Sequence, residues 1–348
     1  MISLVKAAVV LGWPLLPSGV FAATRRGGWL LLALLAAAYV GGLLLGDVQL
    51  TDPLYLPSWT GLGHSALLLV LWTGYAALAR VAGGARFPGP PLLSALLSGA
   101  ILGELAAAAL VAANASDRAG AARLALAASA GGLLGRLGDP AMLLLAADHP
   151  TITFTVAPLA LLCTLVLLPG GALSVPVGRW SVTAVGCLTA AGVILLGAHA
   201  WIALVAGSVA LAVRSGPARV RTAPWHLPIY AALICGLVVF ATAGGVPELA
   251  AMGIESLQAW MGETLKPALA LLAALLAMLL DSTGAALLAD AILDRGMSLT
   301  MPGLPAAMAA GAAIGGIGPL VIVGAVRAGI WRLLAQVTIV VLWAGLFL

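Results

Sequence analysis

Apolar runs of about twenty residues follow one another along almost the whole chain, and no polar stretch between them is long enough to fold separately. A helical run of that length spans the ~30 Å hydrocarbon core of a bilayer, because each residue of an α-helix rises about 1.5 Å. In water the same runs would lack a polar face. Only 8% of the 348 residues are charged and mean hydropathy is +1.15, whereas a soluble domain carries about 25% charge. The chain therefore reads as an all-α polytopic membrane protein with about ten transmembrane helices. A barrel would need strands that alternate apolar and polar, and these runs do not alternate.

The net charge of +4 is no nucleic-acid footprint, because many Arg residues sit at the ends of apolar runs, as cytoplasmic loops require. Cys163, Cys187 and Cys235 lie inside apolar segments without metal-ligand spacing. No nucleophile elbow, phosphate loop or zincin motif is present, so neither an enzyme nor a cofactor is expected. The partners expected are the lipid bilayer and a small ion or small-molecule solute.

Two stretches cannot run straight. Residues 127–145 place Gly131, Gly132, Gly135, Gly138, Arg136, Asp139 and Pro140 inside an apolar segment, and each glycine or proline weakens or ends a helix. Near the C-terminus, Gly315, Gly316, Ile317, Gly318 and Pro319 echo the core of that stretch. Irregular backbone at membrane depth survives only when wrapped in protein or lining a polar cavity, and paired interruptions in two halves point to a transporter site. The order arm, polar turn, arm, broken helix occurs twice. It divides the chain into scaffold helices (1–90), a first repeat (91–213) with a re-entrant hairpin near 114–117 and a broken helix at 127–148, and a second repeat (222–348) with a hairpin near 281–284 and a broken helix at 306–326. A retained first helix at 2–22 and a linker loop around 215–217 complete the expectation.

Asp281 lies where two apolar arms meet, and a carboxylate at membrane depth costs at least about 2.5 kcal/mol unless a cation, proton or donor compensates it. With Ser282 and Thr283 it offers hard oxygens for a small cation; it would also serve as the N-cap of the arm that follows. Asn114 and Ser116, beside Asp117, form the matching polar set, or else a surface loop. Glu104, on an otherwise apolar arm, either carries a proton or pairs with an Arg; Asp281 is the other proton-carrying candidate. Gly138, Asp139 and Gly318 mark the breaks. Arg136 either pairs with Asp139 or contacts an anionic solute. No metal is expected beyond a transported cation.

Three motifs resemble the ion transporter superfamily of sodium–proton antiporters, arsenite permeases and citrate or dicarboxylate transporters: the span from Trp225 to Gly245, the turn Leu280 to Gly284, and the break Gly138 to Met142. The likeness covers residues 92–330, with Ala141 and Met142 where members often carry Pro-Asn, and no Asn after Asp281. It implies two inverted repeats meeting at a central site, in a homodimer. The expected activity is a secondary active transporter of a bacterial-type inner membrane, performing sodium- or proton-coupled cation antiport by alternating access. An organic anion or oxyanion carrier, and a non-transporting membrane scaffold subunit, are the alternatives.

Overall fold

The computed structural model describes residues 56–348, apart from 88, 113–114, 116, 171–172, 174–177, 244–245 and 295–302. The expected first helix, at 2–22, lies outside the described residues, as do Asn114 and Ser116. The described chain is 85% helical and contains no strand, which identifies helix, not barrel, as the way it satisfies its backbone in lipid.

The helices in order are α1 (Leu56–Ala82), α2 (Pro91–Leu102), α3 (Glu104–Ala112), α4 (Arg118–Gly131), α5 (Pro140–Asp148), α6 (Thr151–Leu165), α7 (Trp180–Leu196), α8 (Ala200–Ser215), α9 (Pro217–Arg221), α10 (His226–Ala243), α11 (Val246–Met261), α12 (Leu265–Leu293), α13 (Leu304–Gly315), α14 (Gly318–Ile322) and α15 (Val326–Phe347). Among the described residues, five helical stretches are long and apolar enough to cross a membrane: Gly63–Ala82, Trp180–Ser215, Ala250–Met278, Leu304–Ile322 and Val326–Phe347. This is a membrane protein.

Burial sorts these stretches. In the span Leu304–Ile322, 89% of residues are inside the protein, against 28% in Trp180–Ser215. The latter bends at Gly197 (φ 53°) into α7 and α8, which pack on each other where Gly192 meets Ala203 and Gly207 meets Thr189. The outer face of this hairpin carries exposed Leu188, Leu195 and Val213, as a lipid-facing surface requires. Residues 217–221, expected to begin a loop between the halves, instead form the short helix α9 behind Pro217, whose fixed φ suits a first helical turn. α11 turns Ala251 and Ile254 inward and exposes Met252, Glu255, Leu257 and Trp260.

At the centre, α2 packs on α4 and α12 on α13. Both contacts depend on glycine. A Cβ at Gly99 would sit 1.9 Å from the Ala128 carbonyl oxygen and one at Gly131 1.9 Å from that of Leu96; Gly311 and Gly315 approach the Ala270 and Ala274 carbonyls at 2.1 and 2.3 Å. Lipid tails are as apolar as leucine, so helices in a bilayer gain contact by close backbone approach instead.

Arg123 on α4 is buried and uses its charge within the protein. Its Nε donates to the Leu167 carbonyl (2.8 Å) and its Nη2 to that of Leu168 (3.0 Å), capping the end of α6. A hydrogen bond from a charged donor contributes about 1.5 to 3 kcal/mol. Arg123→Ala is expected to lower the thermal unfolding midpoint in detergent, with Arg123→Lys recovering part of the loss; an unchanged midpoint would remove this role.

Candidate functional site

Two helix interruptions share one backbone geometry. Gly103, between α2 and α3, has φ 80° and ψ 147°; Asp281, inside α12, has φ 67° and ψ 161°. Glycine adopts this conformation without steric cost. Asp281 is the only non-glycine residue with positive φ among the described residues, and such a conformation costs about 1 to 3 kcal/mol. Its Oδ1 accepts the N–H of the next residue, Ser282, at 2.9 Å, rather than an N–H one turn further on as an N-cap would. The carboxylate faces a cavity.

Gly103 and Asp281 thus share a backbone shape, each followed by a buried polar residue, Glu104 and Ser282, whereas Asn114 and Ser116 lie outside the described residues. Asp117, next to that set, is exposed and caps α4 by accepting the Gly120 N–H at 2.6 Å. Glycine supplies the shape at 103 without any polar signal in the sequence.

Glu104 sits where the first interruption meets the second. Its N–H donates to the Gly138 carbonyl (2.9 Å), its Oε2 accepts from Ser129 Oγ (3.0 Å) and its Oε1 from Ser282 Oγ (2.9 Å). Between α4 and α5 the chain folds tightly: a Cβ at Gly138 would lie 2.6 Å from the Gly132 Cα. Asp139 caps α5, its Oδ1 accepting the Ala141 N–H at 2.7 Å, and Pro140 follows where its missing N–H costs nothing. The carbonyls released by these breaks are collected by α1: Trp72 Nε1 donates to Leu137 (2.7 Å) and the Tyr75 hydroxyl to Ile101 (3.0 Å).

Asp281 lines a cavity of about 20 Å³ together with Thr73, Tyr230, Thr283 and Gly318, enough for roughly one water-sized occupant. Thr73 spends its hydroxyl hydrogen on its own helix, with the Leu69 and Val70 carbonyls 3.1 and 2.9 Å away, so its oxygen has lone pairs to offer. Gly318 keeps the carboxylate accessible, since a Cβ there would stand 3.1 Å from Asp281 Oδ1. Glu104, Asp139 and Asp281 are all buried, and none of the three pairs with a Lys or Arg among the described residues.

No protein-family model and no curated protein matches this chain. Its chemistry is read from the geometry.

Of the residues expected at the site, Gly138, Asp139, Asp281, Ser282, Thr283, Gly318 and Glu104 come together. Arg136 does not join them: its Nη1 reaches the Val193 carbonyl on α7 at 3.3 Å, and no ion pair links it to Asp139 among the described residues. Ser129, Thr73 and Tyr230 were not foreseen. Ser129 had a signal, being the hydroxyl within the small apolar residues that lead into the first break; Thr73 and Tyr230 are remote in sequence and had none.

Proposed function

We propose that this protein is a secondary active transporter that carries a small cation such as sodium in exchange for protons, by alternating access, in a bacterial-type inner membrane. The observation that carries the reading is Asp281: a buried carboxylate without a cationic side-chain partner, held in a strained conformation beside a cavity for one water-sized particle. Strain of this kind clusters at functional sites, and a cation in the cavity offsets the cost of the buried charge. A space of that volume that holds one carboxylate and no basic side chain disfavours the organic anion or oxyanion reading.

Inverted repeats fit the same picture. The series of interrupted helix, buried helix, second break, short helix and long helix runs from α2 to α6 and again from α12 to α15. Glu104 and Ser282 each follow the positive-φ residue of their half, and they hydrogen-bond to each other, which is the contact a two-fold axis through both interruptions would produce.

Purified protein in proteoliposomes with an acidic interior tests the reading. External sodium is expected to collapse the pH gradient, while citrate, arsenite and phosphate leave it standing. Gly318→Ala, which crowds Asp281 Oδ1, is expected to weaken sodium dependence several-fold in a folded protein. If no cation alters the gradient under any condition, the transport reading falls.

A further inference from the structure

The two remaining buried carboxyls make a second unit. Asp139 is fully buried, and its Oδ2 meets no N–H or hydroxyl donor; the Glu104 N–H, bonded to the Gly138 carbonyl at 2.9 Å, holds the Glu104 carboxyl next to that of Asp139, and the two interact. Glu104 already accepts one serine hydroxyl on each oxygen. An ionised carboxylate accepts only, and a carboxyl becomes a donor by taking up a proton. A hydrogen bond between these two groups therefore needs one proton, as in other adjoining buried carboxyl pairs.

We propose that Glu104 and Asp139 share a single proton, at a place separate from the cation cavity at Asp281, and that Ser282 links the two. The places differ in their lining: Asp281 borders the cavity, whereas Glu104 and Asp139 are not among the residues that line it. The link is direct. The Ser282 N–H is donated to Asp281 and its hydroxyl to Glu104, so one residue touches both charges.

Arg136, the nearest cation along the chain, donates from Nη1 to the Val193 carbonyl and makes no ion pair with Asp139 among the described residues. Asp281 faces it from α12. On α4, Arg118 is exposed and Arg123 is turned to the Leu167 and Leu168 carbonyls. On α1, Tyr75 donates to Ile101 and Arg80 is exposed at the far end. α2, α13 and α14 bring no charged or titratable side chain. When a cation enters beside Asp281, its field and the shift of Ser282 favour departure of the shared proton to water, one charge arriving as the other leaves. This linkage rests on the transport reading, whereas the shared proton does not.

Infrared difference spectroscopy on the full chain in detergent tests both parts. At neutral pH without sodium, the C=O stretch of a protonated carboxyl is expected, shifting in heavy water, disappearing as pH is raised in the unsubstituted protein, and lost in both Glu104→Gln and Asp139→Asn. Sodium chloride is expected to diminish the band while choline chloride does not, and Asp281→Asn should keep the band but lose the sodium response. Absence of the band in the unsubstituted protein, or its survival in both pair variants, overturns the shared proton. A band that ignores sodium overturns the linkage and leaves the pair standing.

Discussion

Replacing Asp281 with asparagine is expected to abolish sodium-driven collapse of a pH gradient while the protein remains folded. Asparagine is nearly isosteric, tolerates positive φ better than most residues and retains a side-chain acceptor oxygen, so the Ser282 N–H keeps its acceptor. Only the charge is removed. An ionic contact at a buried site contributes about 1.5 to 3 kcal/mol, which corresponds to cation binding roughly 10- to 150-fold weaker. Sodium titration by calorimetry and flux in proteoliposomes both read this. Asp281→Gly separates strain from charge: it releases the ~1 to 3 kcal/mol held in the backbone and removes the desolvated carboxylate, at the loss of one hydrogen bond. That variant is expected to unfold no earlier than the unsubstituted protein and to carry no cation. Undiminished flux in the asparagine variant would show that the carboxylate is not the ion's partner.

Adding one methyl group at Gly99 or Gly131 is expected to do severe structural damage for so small a change. At either position the new Cβ would stand 1.9 Å from a carbonyl oxygen of the opposing helix, about half the ordinary contact distance between such atoms. The obstacle is backbone, which cannot rotate aside as a side-chain tip does. Overpacking costs typically 1 to 3 kcal/mol, occasionally more, and here α2 and α4 must separate, moving Glu104 from Ser129. Gly74→Ala on α1 is the control. Its Cβ would meet nothing within 4 Å, so the helix-propensity gain of up to about 1 kcal/mol is expected to appear instead. Thermal midpoints in one detergent compare them. Equal midpoints for Gly131→Ala and the unsubstituted protein would mean that the crossing is looser than its geometry.

The candidate site was partly legible because polar residues inside apolar helices are costly and few. Asp281, Ser282 and Thr283 are conspicuous for that reason, as is Glu104, and Gly138 through Pro140 announce a break by removing donors and helix propensity. Asn114 attracted attention as a polar counterpart to Asp281 and lies outside the described residues; the interruption at Gly103, which shares the backbone conformation of Asp281, needs no side chain and so gave no polar signal. Arg136 and Asp139, three apart, suggested a local pair; the break between α4 and α5 is not helical, so that spacing no longer brings them together, and Arg136 turns to α7 instead.

By itself the sequence determined that this chain lives in a membrane, that it is helical, and that its helices are interrupted where glycine, proline and charge intrude. Those are consequences of hydration and of local backbone sterics, which act on neighbouring residues and need no knowledge of the fold. Only the tertiary structure decided which interruptions meet: Glu104 with Gly138 and Ser282, Asp281 with Gly318 and the distant Thr73 and Tyr230. In a bilayer that choice is made by close backbone packing between small residues and by partners for exposed carbonyls. Both are long-range and lack a spacing that can be read along the chain.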